Sequence, residues 1–99
     1  MIITSFSEMK VCDNNFIKMN IFFQESITHN DIIFLANNHI LIHNSELSLP
    51  YFKIIHPHYT IRGSIGNTRI TIFFNSSDRP TCKKFFSEIL DNISLYGSL

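Results

Sequence analysis

The sequence predicts an α+β fold: a bent antiparallel sheet or partly open barrel of six to seven short strands, closed by one C-terminal helix. Three observations carry that expectation. Residues 16–74 fall into short β-branched and aromatic runs divided by turn residues. Beyond residue 79 the apolar positions recur at spacings of three and four instead. Pro50 and Pro57 interrupt the strand region, and proline in a sheet is confined to edges, first positions and bends.

Each element has its own justification. Phe16 to Phe23 reads as a strand whose polar members, Lys18 and Asn20, share one face. "SITHND" supplies turn chemistry. Asp31 to Leu35 is a short apolar run, and Asn37-Asn38 suits a hairpin because Asn tolerates left-handed backbone angles. His39 to His43 is then the returning strand, with His39, Leu41 and His43 on one face and Ile40 and Ile42 on the other. Leu47 to Ile55 follows, and because Pro50 cannot donate a ladder hydrogen bond this strand is short, at an edge, or bent there. Tyr59–Ile65 and Thr68–Phe74 form a second hairpin across Gly66-Asn67.

The helix is expected over about 79–95. Cys82, Phe85, Phe86, Ile89, Leu90 and Ile93 compose one apolar stripe, with Lys83, Lys84, Glu88, Asp91 and Asn92 largely off it. Ser77 and Asp78 offer capping oxygens, Pro80 suits the first turn, and Gly97 can close the other end. Such a stripe has to dock, and the sheet is the surface available to it.

Composition narrows the function. Ninety-nine residues suit one domain spanning 1–99, and 44 % hydrophobic against 16 % charged residues provides a core and excludes disorder. Eight basic and eight acidic residues sum to zero, whereas a general nucleic-acid binder carries a basic excess, so no nucleic-acid partner is expected. Cys12 and Cys82 stand far apart, with no CxxC, as reduced thiols do in a cytoplasmic or nuclear protein. The first ten residues show neither the basic nor the apolar region of a signal peptide, and no apolar run approaches a membrane span.

On these residues the chain resembles the pleckstrin-homology-like superfold, in particular its GRAM and WW-domain-binding-protein branch. The likeness rests on Ile32-Ile33-Phe34-Leu35 running into "ANNHILIHNS", on Leu47 to Ile55 with its Leu-Pro-aromatic step, on Ile61-Arg62-Gly63, and on Ile70 to Phe74 with the closing helix. It covers about residues 16–95. The Pro-Pro-x-Tyr tail of the WW-binding branch is missing, and only Lys10 and Lys18 stand where the lipid-binding branch clusters its basic residues. The resemblance implies a binding scaffold and leaves the ligand open, because function resides in sites grafted on folds.

The side-chain inventory points the same way. His39, His43, His56 and His58 match no standard zinc spacing, so neither metal nor cofactor is expected. No serine sits in a Gly-flanked elbow, no carboxylates pair, and the three glycines form no phosphate loop, which predicts a non-enzyme. The expected function is an intracellular adaptor that engages a protein segment at a sheet edge and the neighbouring helix face. Leu49, Tyr51, Phe52 and Tyr59, around the proline-interrupted edge, are its expected contacts. A second reading is a phosphoinositide or anionic-membrane contact through Lys18, Lys53, Arg62 and Arg69. A third is a structural subunit of a homo-oligomer. Arg79, Lys83 and Lys84 at the helix start oppose its dipole and are read as a solvated face or an anion site.

Overall fold

The computed structural model describes residues 1–11, 16–36, 39–44 and 51–97, with the backbone alone at His43, Asn44 and Gly97. Its strands are β1 (Ile3–Phe6), β2 (Lys10–Val11), β3 (Ile17–Phe23), β4 (Ile40–Asn44), β5 (Tyr51–Ile55), β6 (Tyr59–Ser64) and β7 (Arg69–Phe74). The helices are α1 (His29–Ala36) and α2 (Arg79–Gly97). All seven strands form one open antiparallel sheet in the order β1-β3-β7-β6-β5-β4, with β2 alongside β3 as well. The fold is therefore α+β, as expected, with β4 to β7 as a meander and β3 beside β7.

Register puts the apolar residues on one face. Met19, Ile72, Ile61, Ile54 and Leu41 lie opposite one another across five strands. Ile17, Phe74 and Tyr59 make the next row, and Ile21, Ile70, Gly63 and Phe52 the row beyond. All are buried apart from the half-buried Leu41 and Gly63. Against them α2 presents Cys82, Phe86, Ile89 and Ile93 from the expected stripe, with Phe85 and Leu90 half-buried at its margins. Tertiary burial of this stripe, more than intrinsic propensity, holds such a helix.

Capping places the start of α2. The Asp78 carboxylate accepts from the Thr81 backbone N–H at 3.1 Å and from the Thr81 hydroxyl, and the Asp78 N–H donates to Ser76 Oγ at 3.0 Å. Asp78 is thus the capping residue, and Ser76 Oγ fixes the chain just ahead of it.

The largest departure from the expected strands lies between residues 28 and 36. Asp31 to Leu35, expected as a strand, lies in α1. A reciprocal capping box is the reason: the Thr28 N–H donates to Asp31 Oδ2 at 2.8 Å, and the Asp31 N–H to Thr28 Oγ1 at 3.3 Å. Ile32 and Ala36, four apart, then meet the core. Phe34 stacks on Tyr96 at 4.4 Å, which sets α1 on the same face of the sheet as α2. The expected turn residues Asn37 and Asn38 lie outside the described residues, and β4 pairs with β5 rather than with 31–35. Of the expected strand 47–55, residues 47–50 with Leu49 and Pro50 lie outside the described residues, while β5 is flanked by β4 and β6 and is not an edge. Pro57 sits in the β5–β6 turn.

Two elements had no place in the sequence reading. β1 and β2 form one interrupted edge beside β3: the Ser7 N–H donates to the Asn20 carbonyl while the Asn20 N–H donates to Ser7 Oγ, both at 2.9 Å. A side chain thus replaces one rung of the ladder, and a further register shift falls between Ile3 and Ser5. Alternation is lost over residues 3–11, which hides the strand from a period-two search.

Two glycines matter. Gly66, at φ 90°, occupies the third position of the Ser64–Asn67 turn, closed by Asn67 N–H to Ser64 O at 3.2 Å. Gly63 leaves room for Phe52: a Cβ there would lie 2.9 Å from Phe52 Cζ and 3.3 Å from the Arg69 carbonyl oxygen. Because Phe52 is fully buried, Gly63→Ala is expected to destabilise the protein by about 1–3 kcal/mol through overpacking. Urea unfolding measures this, and Phe52→Leu in the same chain is expected to make the Gly63→Ala step less costly.

Candidate functional site

Three surfaces gather functional side chains. The first is a groove of about 600 Å³ between the β1–β2 edge and α2. Met19 and Phe86 form its buried floor, with Phe6, Met9 and Leu90 around them. Phe6 is 55 % exposed and meets Phe86 edge-on, with ring centroids 5.2 Å apart. Arg79 and Lys83 line one side and Glu8 the other, so the rim carries one more positive than negative charge. The bulged edge creates this groove, because the chain at Ser7–Met9 leaves the regular line of the sheet.

The second surface is the sheet face opposite the helices. Alternation sends Lys10, Lys18, Lys53, Arg62 and Arg69 to it, together with Asn20, Thr60 and Thr71 and the rings of Phe22, Phe73 and Tyr51. No strand residue on this face, among those described, is acidic. Lys10 lies directly opposite Lys18, and Lys53 directly opposite Arg62. The Arg62 guanidinium sits 5.0 Å from the centre of the Phe73 ring. A depression of about 270 Å³ opens here, lined by Tyr51, Arg62, Ser64, Asn67, Arg69, Thr71 and Phe73 among others.

The third is a histidine cluster where the β5–β6 turn meets α2. The His56 ring stacks on Tyr59 at 4.1 Å and meets His39 edge-on at 4.4 Å, while His58 stacks on Phe85 at 4.5 Å. His56 Nδ1 accepts the His58 backbone N–H at 3.1 Å. Burial, and then the neighbouring His39 and His58, hold His56 below the ordinary imidazole value, with Glu88 opposing them. These histidines pack as rings. No group of three His, Cys, Asp or Glu among the described residues could hold a metal ion.

The expected sites divide accordingly. Lys18, Lys53, Arg62 and Arg69 share one face, and the structure adds Lys10 to them. The expected protein contacts do not form one surface. Tyr51 is 42 % exposed on the open face, Phe52 and Tyr59 are interior on the opposite face, and Leu49 lies outside the described residues. The reason is the two-residue period: Tyr51 and Phe52 are neighbours in the chain and so point to opposite sides.

No known protein family, characterised protein or solved structure matches the chain.

The groove residues Phe6, Met9 and Phe86 escaped the sequence reading as a site because the β1–β2 edge did. The one signal was the cationic start of α2, with Arg79, Lys83 and Lys84 and no acid in its first turn. Cys82 is buried; burial first and Asp78 next push its thiol up, and it approaches the Ser76 carbonyl at 3.6 Å, so it is a packed side chain rather than a nucleophile. Cys12 lies outside the described residues. No described helix is long and apolar enough to cross a membrane.

Histidine burial has a consequence for pH. A folded-state value below 6.5 means that the unfolded chain binds the proton more readily, so His56 favours folding above pH 6.5 and that contribution is lost as pH falls below it. Urea midpoints are expected to drop between pH 7.5 and 5.5 by more in the wild type than in His56→Gln. Parallel pH profiles for the two proteins would remove His56 as the source.

Proposed function

We propose that this chain is a non-catalytic binding module that holds an extended protein segment in the groove between the β1–β2 edge and α2. The observation that carries the reading is the groove itself, with its apolar floor and cationic side. β1 ends the sheet, so its outward backbone groups can pair with an added strand while side chains enter the space over Met19 and Phe86. Arg79 and Lys83 complement a segment that carries a carboxylate beside its apolar residues. Each also stands in the first turns of α2, where the helix dipole disfavours a cation, and a bound anion relieves that tension. The expected mode of binding, between an edge strand and a helix, is retained. Its place moves from β5, an interior strand, to the β1–β2 edge.

The layout supports the same reading. An antiparallel sheet packed on one face by a C-terminal helix is consistent with a pleckstrin-homology-like scaffold, an arrangement suited to binding rather than to catalysis. Tyr51, an expected contact, is assigned to the open face and not to this groove.

A second reading has one specific observation behind it. β4 ends the other side of the sheet, and its Ile40 and Ile42 are 63 % and 43 % exposed. An exposed apolar edge strand is a template for pairing with another copy. If β4 joins two copies, sedimentation shows a mass that rises with concentration in the wild type, and Ile42→Lys returns it to the monomer.

For the groove, the test is selection from a random peptide library. Enriched peptides are expected to combine apolar residues with at least one Asp or Glu, and to lose about tenfold or more in affinity for Lys83→Glu and for Phe6→Ala. Phe6 is largely exposed, so its truncation leaves the core in place. Peptides that bind both variants as well as the wild type would place the site elsewhere.

A further inference from the structure

We propose that the open face of the sheet binds single-stranded nucleic acid, with one nucleotide seated in the depression between Tyr51 and Phe73. The starting point is an electrostatic cost. Like charges directly opposite each other on neighbouring strands destabilise a sheet, and this face carries two such pairs, Lys10 with Lys18 and Lys53 with Arg62. Arg69 adds a fifth cation, and no strand carboxylate among the described residues shares the face to offset them. An anionic ligand would supply the missing countercharge.

The surrounding side chains narrow its chemistry. Three rings, Phe22 on β3, Phe73 on β7 and Tyr51 on β5, are spread among the cations rather than gathered at one margin. Cations that track a backbone, with ring faces on which bases stack, are the physical requirements of a single-strand platform. The depression of about 270 Å³ combines them in one place. Arg62 and Arg69 suit a phosphate, Tyr51 and Phe73 suit a base, and Ser64, Asn67 and Thr71 supply hydrogen-bonding groups for a base edge or sugar. Arg62 already lies against the Phe73 ring, which holds its guanidinium at the depression instead of free in solvent.

An anionic membrane is the competing source of phosphate. It would favour apolar side chains that protrude beside the cations, whereas here the rings and arginines line a recess. Ile40 and Ile42 of β4 are exposed on this face as well, and Ile42 stands directly opposite Lys53. Both lie outside the recess that holds Arg62, Arg69 and the rings, and the vesicle arm of the test separates the two sources.

The experiment is fluorescence anisotropy with a labelled oligouridine octamer, the matching oligothymidine and a DNA duplex, beside sedimentation with phosphatidylserine vesicles. Single strands are expected to bind. With about three phosphates neutralised, affinity is expected to weaken roughly tenfold to twentyfold between 50 and 200 mM salt. Arg62→Gln/Arg69→Gln is expected to reduce affinity tenfold or more and flatten the salt dependence. Tyr51→Ala is expected to reduce it about tenfold while leaving the salt dependence unchanged, as loss of stacking should. Lys53→Gln supplies a check on folding: it relieves the pair with Arg62, so binding weakens while the unfolding midpoint holds or rises. Binding to vesicles without binding to oligonucleotides overturns the proposal in favour of a membrane face. So does preference for the duplex, no binding at 50 mM salt, or equal affinity in the wild type and the arginine double variant. The groove variant Lys83→Glu is expected to keep oligonucleotide affinity, so this face and the peptide groove stand or fall separately.

Discussion

The register of β7 is the constraint on which the other features depend. Arg69 to Phe74 lies at the centre of the sheet, paired with β3 on one side and β6 on the other. Ile70, Ile72 and Phe74 are almost wholly buried against the helices, so Arg69, Thr71 and Phe73 must face outward. A slip of one residue would exchange the two sets, bury an arginine and expose two isoleucines. The same alternation passes through hydrogen-bonded partners to β3, β6 and β5. The core row and the cationic row are therefore two consequences of one pairing.

Both helices pack on the core face, and that asymmetry shapes the two sides of the sheet. α2 supplies a long apolar stripe, and α1 joins it through Phe34 on Tyr96. The Asp31 carboxylate accepts the Tyr96 hydroxyl and raises its pKa, so the residue that caps α1 also ties the two helices together. No helix among the described residues covers the other face. A sheet with one solvated side needs polar residues there, but it does not need five cations with no strand carboxylate among the described residues. The groove arises from a different cause, the failure of β1–β2 to run straight. Ser7 inserts its hydroxyl into the ladder, and the displaced chain leaves a gap beside Phe86.

Legibility in the sequence followed the strength of the local period. α2 was readable to within a few residues because Cys82, Phe86, Ile89 and Ile93 recur at helical spacing and Asp78 caps them. β3, β6 and β7 were readable because apolar and polar residues alternate over most of their six or seven positions. α1 was misread because Ile32 to Leu35 is apolar all along, and a short run of that kind fits a buried strand as well as a helix. The deciding signal was Thr28-x-x-Asp31, taken for a turn when its side chains close a capping box. Lys53, Arg62 and Arg69, expected to converge from neighbouring strands, share one face with Lys18 because all four follow from the same alternation. Tyr51, Phe52 and Tyr59 were wrongly grouped because closeness in sequence was allowed to stand for closeness in space.

Net charge says little about the open face of this sheet. A sum of zero speaks to colloidal behaviour, and it describes a binding surface only when the two signs are mixed. Among the described carboxylates, Glu88 and Asp91 lie on α2, Asp78 at its start and Asp31 on α1, on the helical side of the sheet. Glu8 lines the groove and Glu25 follows β3, while Asp13 and Glu46 lie outside the described residues. A packed layer is about 10 Å thick, which already matches the screening length of roughly 8–10 Å near physiological salt. Carboxylates on the far side of the core therefore contribute little to the potential that an approaching phosphate meets on the open face. That phosphate encounters Lys10, Lys18, Lys53, Arg62 and Arg69 with no strand carboxylate among the described residues beside them. Exclusion of a polyanionic partner on net charge assumes mixing, and the alternation of β3, β5, β6 and β7 prevents it.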